Sequence, residues 1–107
     1  MTRVKLASVR TFPGVKPTKA QALKVLEEAA EVFGAWQQHD GASRIFTDAS
    51  ESSAMAMANL EHDLLDEIAD TIQACCNLAS ALGVTDLTPY LARCEERNRK
   101  RGRYEQE

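Results

Sequence analysis

The chain has 107 residues, of which 44% are hydrophobic and 27% are charged, and its formal net charge is −3. These values are typical of one ordinary globular domain and exclude disordered and collagen-like chains. The acidic balance also argues against stable nucleic-acid binding, which requires a strongly basic surface.

Targeting and metal-binding cysteine patterns are not found in the sequence. The N-terminus has no apolar run of the signal-peptide kind, and no later stretch reaches the roughly 20 apolar residues that span a bilayer. We therefore expect a cytoplasmic protein that does not associate with a membrane. Cys75, Cys76 and Cys94 have no C-x-x-C spacing, and we expect three free thiols and no zinc site.

The first predicted helix follows an extended arm. Residues 1–17 contain two prolines and little helical periodicity, so we expect an arm there. Thr18 is a good N-cap, and the pattern predicts a helix from residue 19 to about Gln38. Its apolar residues recur at spacings of three and four and are predicted to form a buried stripe, namely Leu23, Leu26, Ala30 and Phe33.

A loop and a long second helix come next. Residues 39–52 lack periodicity and are predicted to form a loop. The second helix should run from Ser52 or Ser53 to Leu82, a length of about 46 Å at 1.5 Å per residue. A compact monomer of this size has a radius of gyration of only about 13 Å. We therefore expect a second chain to cover this helix, in a homodimer or homotetramer.

The third predicted helix begins at Asp86 or Thr88 and is basic towards its end. Residues 93–103 carry six basic and two acidic side chains. Taken together, the elements predict an all-α single domain over residues 1–107. It would be a helical bundle with one long central helix, completed by oligomerisation.

Two pairs of carboxylates lie on the first two helices. Glu28 and Glu31 are three residues apart, as are Glu67 and Asp70, and side chains at this spacing share a helix face. If the helices pack side by side, the two pairs meet. Converging carboxylates repel each other and require cations or protons. All-oxygen ligands favour Mg²⁺, with Mn²⁺ as a possible substitute.

These residues resemble the MazG-like, all-α nucleoside triphosphate pyrophosphohydrolases. The family signature is E-E-x-x-E followed by E-x-x-D, and the chain has Glu27-Glu28-x-x-Glu31 and Glu67-x-x-Asp70. The resemblance covers residues 17–104. Between the two motifs lie 35 residues, 32–66, more than is common in the family, so the nucleobase is not assigned.

The resemblance implies hydrolysis of a nucleoside triphosphate, with ribose or deoxyribose, to the monophosphate and pyrophosphate. It implies that the metal ligands are Glu28, Glu31, Glu67 and Asp70. Glu27 would be a further ligand or a base that orients the attacking water, and Glu28 would share in the catalysis. The polar and basic ending implies that Asn98, Lys100, Arg101 and Tyr104 contact phosphate or sugar. The alternative interpretation is that these residues belong to a frayed, cationic C-terminus that complements the helix dipole.

Other interpretations stay open on the sequence alone. Trp36 is a candidate for stacking on the base, although a Trp on an apolar helix is more often part of the core. Asp63 and Asp66 either support the metal ligands or are merely solvated. The related phosphoribosyl-ATP pyrophosphohydrolases have similar acidic motifs and cleave the same bond. A non-enzymatic helical interaction module, with decorative acidic residues, is the alternative from a different class.

Overall fold

The computed structural model describes residues 2–105 and consists of three helices. They are α1 (Lys19–Ser43), α2 (Glu51–Ala81) and α3 (Thr88–Lys100), and the described residues contain no strand. The predicted all-α class is confirmed. Thr18 caps α1 by accepting a hydrogen bond from the backbone N–H of Gln21 at 3.3 Å. Ser50 caps α2 through the N–H of Ser53 at 3.2 Å.

Helix α1 continues five residues beyond its predicted end, so the connection to α2 spans residues 44–50 and not 39–52. The additional residues include Gly41, which disfavours a helix by about 1 kcal/mol relative to Ala. An ion pair of 3.0 Å between Asp40 and Arg44 supports this last turn. His39 and Ala42 are half-buried there, and this tertiary packing outweighs the weak local preference.

Helices α1 and α2 form an antiparallel hairpin. Their connection is short, and α1 and α2 are the only two described helices in contact. The contacting side of α1 includes the half-buried Val25, Val32 and Ala35, and that of α2 includes Leu64 and the buried Ala74. The spacings of three, seven and ten residues keep these side chains on one stripe of each helix.

The stripe predicted to be buried on α1 is exposed in the single chain. Leu23, Leu26, Ala30 and Phe33 all face solvent. Three of the residues that contact α2, Val25, Val32 and Ala35, lie on a different stripe. Leu26 and Phe33 follow Val25 and Val32 by one position, about 100° further around the axis. Because both stripes are apolar, the periodicity predicted the helix correctly but did not predict which side of it packs against α2.

The predicted arm lies along the C-terminal half of α2. Gln73 donates from Nε2 to the carbonyl oxygen of Arg10 at 2.9 Å. Asn77, which is buried, accepts from the backbone N–H of Phe12 at 3.1 Å. These contacts satisfy polar groups of α2 inside an otherwise apolar segment, as burial of polar groups requires.

Helix α3 does not pack directly against the hairpin. Its Cα atoms approach neither α1 nor α2 within 8 Å, and an ion pair of 2.8 Å joins Glu95 to Arg3 of the arm. The radius of gyration is 17.4 Å, against about 13 Å for a compact domain of this length. The single chain is therefore open. Within the described residues, no helix is both long and apolar enough to cross a membrane.

Candidate functional site

Three carboxylates converge where the middle of α1 meets the middle of α2. Glu28, Glu31 and Glu67 each offer an oxygen, and these oxygens all lie within 4.8 Å of one another. Glu28 and Glu67 lie within the contacting stripes of the hairpin, which accounts for their partial burial. Glu31 follows Glu28 by nearly one turn and projects at the edge of the contact. We call these residues the carboxylate cluster.

Glu67 is the most confined member of the carboxylate cluster. Its Oε2 atom is buried and has no hydrogen-bond partner among residues 2–105. A buried carboxylate oxygen without a donor is costly, since it has lost water without gaining a replacement. Such an atom requires a partner, which a water molecule, a proton or a cation can supply.

The proximity of these groups changes the acidity of Glu31. Its pKa is raised from the usual value for a glutamate, first by a hydrogen bond with Glu67, then by one with Glu28 and by their negative charges. When all three are ionised, none can donate, and the contacts are repulsive. A proton on Glu31 turns one of these contacts into a donated hydrogen bond. The carboxylate cluster thus favours uptake of positive charge.

A lysine already supplies part of that positive charge. Lys24 Nζ lies 3.3 Å from Glu28 Oε1 and 3.7 Å from Glu27 Oε2. The hydrogen bond and the charge of Glu28 raise the pKa of Lys24 above its usual value. The Glu28 side chain is only 13% exposed. Among residues 2–105, no cation lies within 4.0 Å of Glu31 or Glu67. Lys24 therefore balances one edge of the carboxylate cluster only.

The carboxylate cluster borders an open cleft of about 400 Å³. Its lining combines residues of both helices, namely Glu31, Gly34, Ala35, Gln38, Asp63, Asp66 and Glu67. Sequence analysis left Asp63 and Asp66 open between a supporting role and solvation, and the structure places both on the cleft. The sequence analysis did not single out Gln38. The signal was available, because Gln38 lies two turns after Glu31 on the same face of α1.

Glu27 and Asp70 lie outside the carboxylate cluster. Glu27 is exposed and paired with Lys24. Asp70 is exposed one turn beyond Glu67. It shares a helix face with Asp63 and Asp66, because the spacings are three, four and seven residues. Asp70 is thus one helical turn from the cleft.

The predicted substrate-binding residues do not line the cleft in the single chain. Trp36 is half exposed and stacks on Phe33 with ring centroids 5.9 Å apart. It therefore does not lie in the core of the single chain. Lys100 and Arg101 are exposed at the end of α3. Asn98 contacts Cys94 Sγ at 3.5 Å, and Tyr104 lies beyond the helix.

A larger cavity of about 570 Å³ lies elsewhere, between the arm, the C-terminal half of α2 and α3. Asp86 is its one carboxylate, and Asp86 Oδ1 accepts a hydrogen bond from the backbone N–H of Thr88 at 2.9 Å. That carboxylate serves the start of α3. The acidic cleft is therefore the better candidate for phosphate or metal chemistry.

Comparison of the chain with models of protein families, with curated proteins and with solved structures finds no match. The candidate site accordingly depends on the geometry of the hairpin and on the motifs in the sequence.

Proposed function

We propose that the chain is a magnesium-dependent nucleoside triphosphate pyrophosphohydrolase whose site is the carboxylate cluster and the adjoining cleft. The observation that carries this proposal is the buried, unpartnered Oε2 of Glu67 beside two further carboxylates. A solvated acidic surface does not require a buried oxygen without a donor. The resemblance to MazG-like enzymes supplies the reaction class.

The donor set fits a small divalent cation. Oxygen ligands about 2.1 Å from an octahedral Mg²⁺ lie about 3 Å apart when adjacent and about 4.2 Å apart when opposite. The oxygens of the carboxylate cluster lie within 4.8 Å of one another, so modest rotamer changes suffice. Carboxylates also suit Mn²⁺. Asp70 is proposed as a fourth ligand, since side chains three apart on a helix can converge.

The proposed reaction is attack of water on the α phosphorus of the substrate. The new P–O bond forms as the bond from the α phosphorus to the bridging oxygen breaks, and pyrophosphate leaves with that oxygen. A bound Mg²⁺ would neutralise phosphate charge and polarise the reacting centre. Glu27 is the proposed base or water-orienting group, and Glu28 shares this task. Release of Glu27 from Lys24 would be required, because that ion pair engages its carboxylate.

Several further assignments are parts of the proposal and not of the geometry. Asn98, Lys100, Arg101 and Tyr104 are proposed to contact phosphate or sugar, on the support of their positive charge and hydrogen-bonding capacity. Trp36 is proposed to stack on the nucleobase at the cleft of a second copy, because in its own chain it lies on the side of the hairpin away from the cleft. The enzyme is proposed to act in the cytoplasm as a homodimer or homotetramer, without a nucleic-acid or membrane partner.

The decisive experiment is a screen for pyrophosphate release from ribo- and deoxyribonucleoside triphosphates and phosphoribosyl-ATP, with and without Mg²⁺. We expect release that depends on Mg²⁺ or Mn²⁺. Phosphorus NMR should show monophosphate and pyrophosphate as the first products. Orthophosphate as the first product would contradict the assigned bond. Activity confined to phosphoribosyl-ATP would favour the related family, and no release from any substrate would overturn the proposal.

A further inference from the structure

Lys24 is the one cation of the described residues that lies within 4.0 Å of the carboxylate cluster. Its Nζ atom is 3.3 Å from Glu28 Oε1 and 3.7 Å from Glu27 Oε2. The Glu28 side chain is only 13% exposed, whereas that of Lys24 is 54% exposed. The helix contact therefore holds the carboxylate in place, and the ammonium group reaches it from solvent on a flexible four-carbon stem.

Support of the helix does not account for this ion pair. At a spacing of four residues, a glutamate that precedes a lysine stabilises a helix better than the reverse order, and here the lysine comes first. Exposed pairs of this kind also contribute little to stability. The more informative feature is that Glu28 belongs both to this ion pair and to the carboxylate cluster. A metal ion that binds the carboxylate cluster therefore competes with Lys24 for Glu28.

The face of α1 that carries the carboxylate cluster differs in charge at its two ends. Lys24 lies seven residues before Glu31, and Gln38 lies seven residues after it. These three side chains share one face over about 21 Å of helix. The cleft extends towards Gln38, and its wall on α2 carries Asp63 and Asp66. The end towards Lys24 is therefore cationic and the end towards the cleft is anionic.

This difference in charge determines how a nucleotide can lie across the site. Asp63 and Asp66 repel phosphate oxygens in the cleft, and the residues that line the cleft include no cation. An ammonium group forms strong, charge-assisted hydrogen bonds with phosphate oxygens. In the proposed reaction, the β and γ phosphates leave together as pyrophosphate. The end of α1 that carries Lys24 suits the pyrophosphate, and the cleft suits the nucleoside.

We propose that Lys24 neutralises Glu28 before Mg²⁺ binds and that, once Mg²⁺ has displaced it, Lys24 binds the pyrophosphate portion of the substrate. This inference rests on the proposed function and adds a contact to the leaving group from α1. Mg²⁺ and an ammonium group repel each other when they share one carboxylate, so binding of the metal moves the lysine outwards. The same movement releases Glu27, which the proposed reaction requires.

The test measures the binding of Mg²⁺ alone and of inorganic pyrophosphate at saturating Mg²⁺, both by calorimetry. Lys24→Met keeps a long, flexible side chain and removes the charge. Its affinity for Mg²⁺ should rise about two- to fivefold, the factor that corresponds to loss of an exposed ion pair. Its affinity for pyrophosphate should fall at least about tenfold, as expected when a hydrogen bond to a charged group is lost. Lys24→Arg should restore the affinity for pyrophosphate.

Lys19→Met is the matched control for the loss of charge. Lys19 is the exposed first residue of α1 and lies about 140° around the helix axis from Lys24. Both affinities of this variant should stay close to those of the unchanged chain. The opposite changes expected for Lys24→Met exclude a merely structural role, since a damaged helix pair would weaken the binding of both ligands. Weaker binding of both ligands would therefore overturn the inference.

The remaining outcomes separate this inference from the proposed function. If Lys24→Met shows the two opposite changes but the unchanged chain hydrolyses no triphosphate, the role of Lys24 stands and the proposed reaction is wrong. If the unchanged chain hydrolyses triphosphates and Lys24→Met binds pyrophosphate equally well, the reaction stands and the role of Lys24 is wrong. An unchanged chain that does not bind pyrophosphate in the presence of Mg²⁺ would also overturn the inference.

Discussion

The two sides of the α1–α2 hairpin differ in the kind of partner that each can satisfy. One side has four carboxylates around the cleft, and these can be neutralised only by cations, protons or hydrogen-bond donors. The other side exposes Phe33, Trp36 and Leu65, which only another apolar surface removes from water. One helix pair thus separates an electrostatic requirement from a hydrophobic one, and each side responds to a different experimental variable.

The largest expected effect is on catalysis at the acidic side. Glu31→Gln keeps the shape of the side chain but replaces a charged oxygen ligand. Magnesium-dependent hydrolysis should fall at least about 100-fold, the upper part of the range seen when even an indirect support of a metal site is removed. Glu61→Gln changes an exposed glutamate of the same helix pair outside the cleft and serves as the control. Equal turnover in the two variants would show that the carboxylate cluster takes no part in catalysis.

Mg²⁺ should stabilise the protein at its acidic side, and a higher protein concentration should stabilise it at its apolar side. Ligand binding to the native state adds about 2.7 kcal/mol at 100 times the dissociation constant. Phe33→Glu places a charge at an exposed apolar residue away from the cleft. Mg²⁺ should therefore raise the melting temperature of the unchanged chain and of Phe33→Glu. It should raise the melting temperature of Glu31→Gln much less. Raising the protein concentration should raise the melting temperature of the unchanged chain and not that of Phe33→Glu. Differential scanning fluorimetry across both series checks this, and a reversed pattern would contradict the assignment of the sides.

The pH dependence of stability without metal is a smaller effect with a defined sign. Because folding raises the pKa of Glu31, this group contributes stability that is fully present below its ordinary pKa and is lost as pH rises through the raised value. Glu31→Gln is neutral throughout. In chelator, its melting temperature should match the unchanged chain in acid and exceed it near about pH 7. A structural ion pair at Glu31 would instead make the variant less stable at neutral pH.

The smallest effect is expected at the start of α2, where a change touches neither side. The Ser50 hydroxyl accepts a hydrogen bond from the backbone N–H of Ser53 at 3.2 Å. Loss of such a cap lowers stability by about 1 kcal/mol. Ser50→Ala should lower the free energy of unfolding, measured by urea denaturation, by about that amount. It should leave the stabilisation by Mg²⁺ unchanged. Glu61→Gln, at an exposed position further along α2, is the control and should be close to neutral. If Mg²⁺ stabilised Ser50→Ala by a different amount from the unchanged chain, the start of α2 and the cleft would be energetically coupled.

Local sequence signals predicted the helices more accurately than their surroundings. Thr18 marked the start of α1 because capping acts on neighbouring residues. The end of α1 was missed because His39 and Ala42 are half-buried there, an effect of tertiary packing that the polar composition of residues 39–43 conceals. The cleft was found in part. Glu28, Glu31 and Glu67 converge, whereas Asp70, the fourth carboxylate expected to join them, is exposed one turn beyond Glu67, because the rotation of α2 decides which carboxylates reach α1.

By itself, the sequence determined that the chain is helical, where each helix begins to within two residues, and which carboxylates share a face, because these properties depend on residues within one or two turns. Only the tertiary structure decided which of the two apolar stripes of α1 contacts α2. Val25 and Leu26 are both hydrophobic, and a rotation of about 100° exchanges them. That rotation placed Glu31 beside Glu67 and left Phe33 and Trp36 uncovered, since packing against a second helix can satisfy only one stripe at a time.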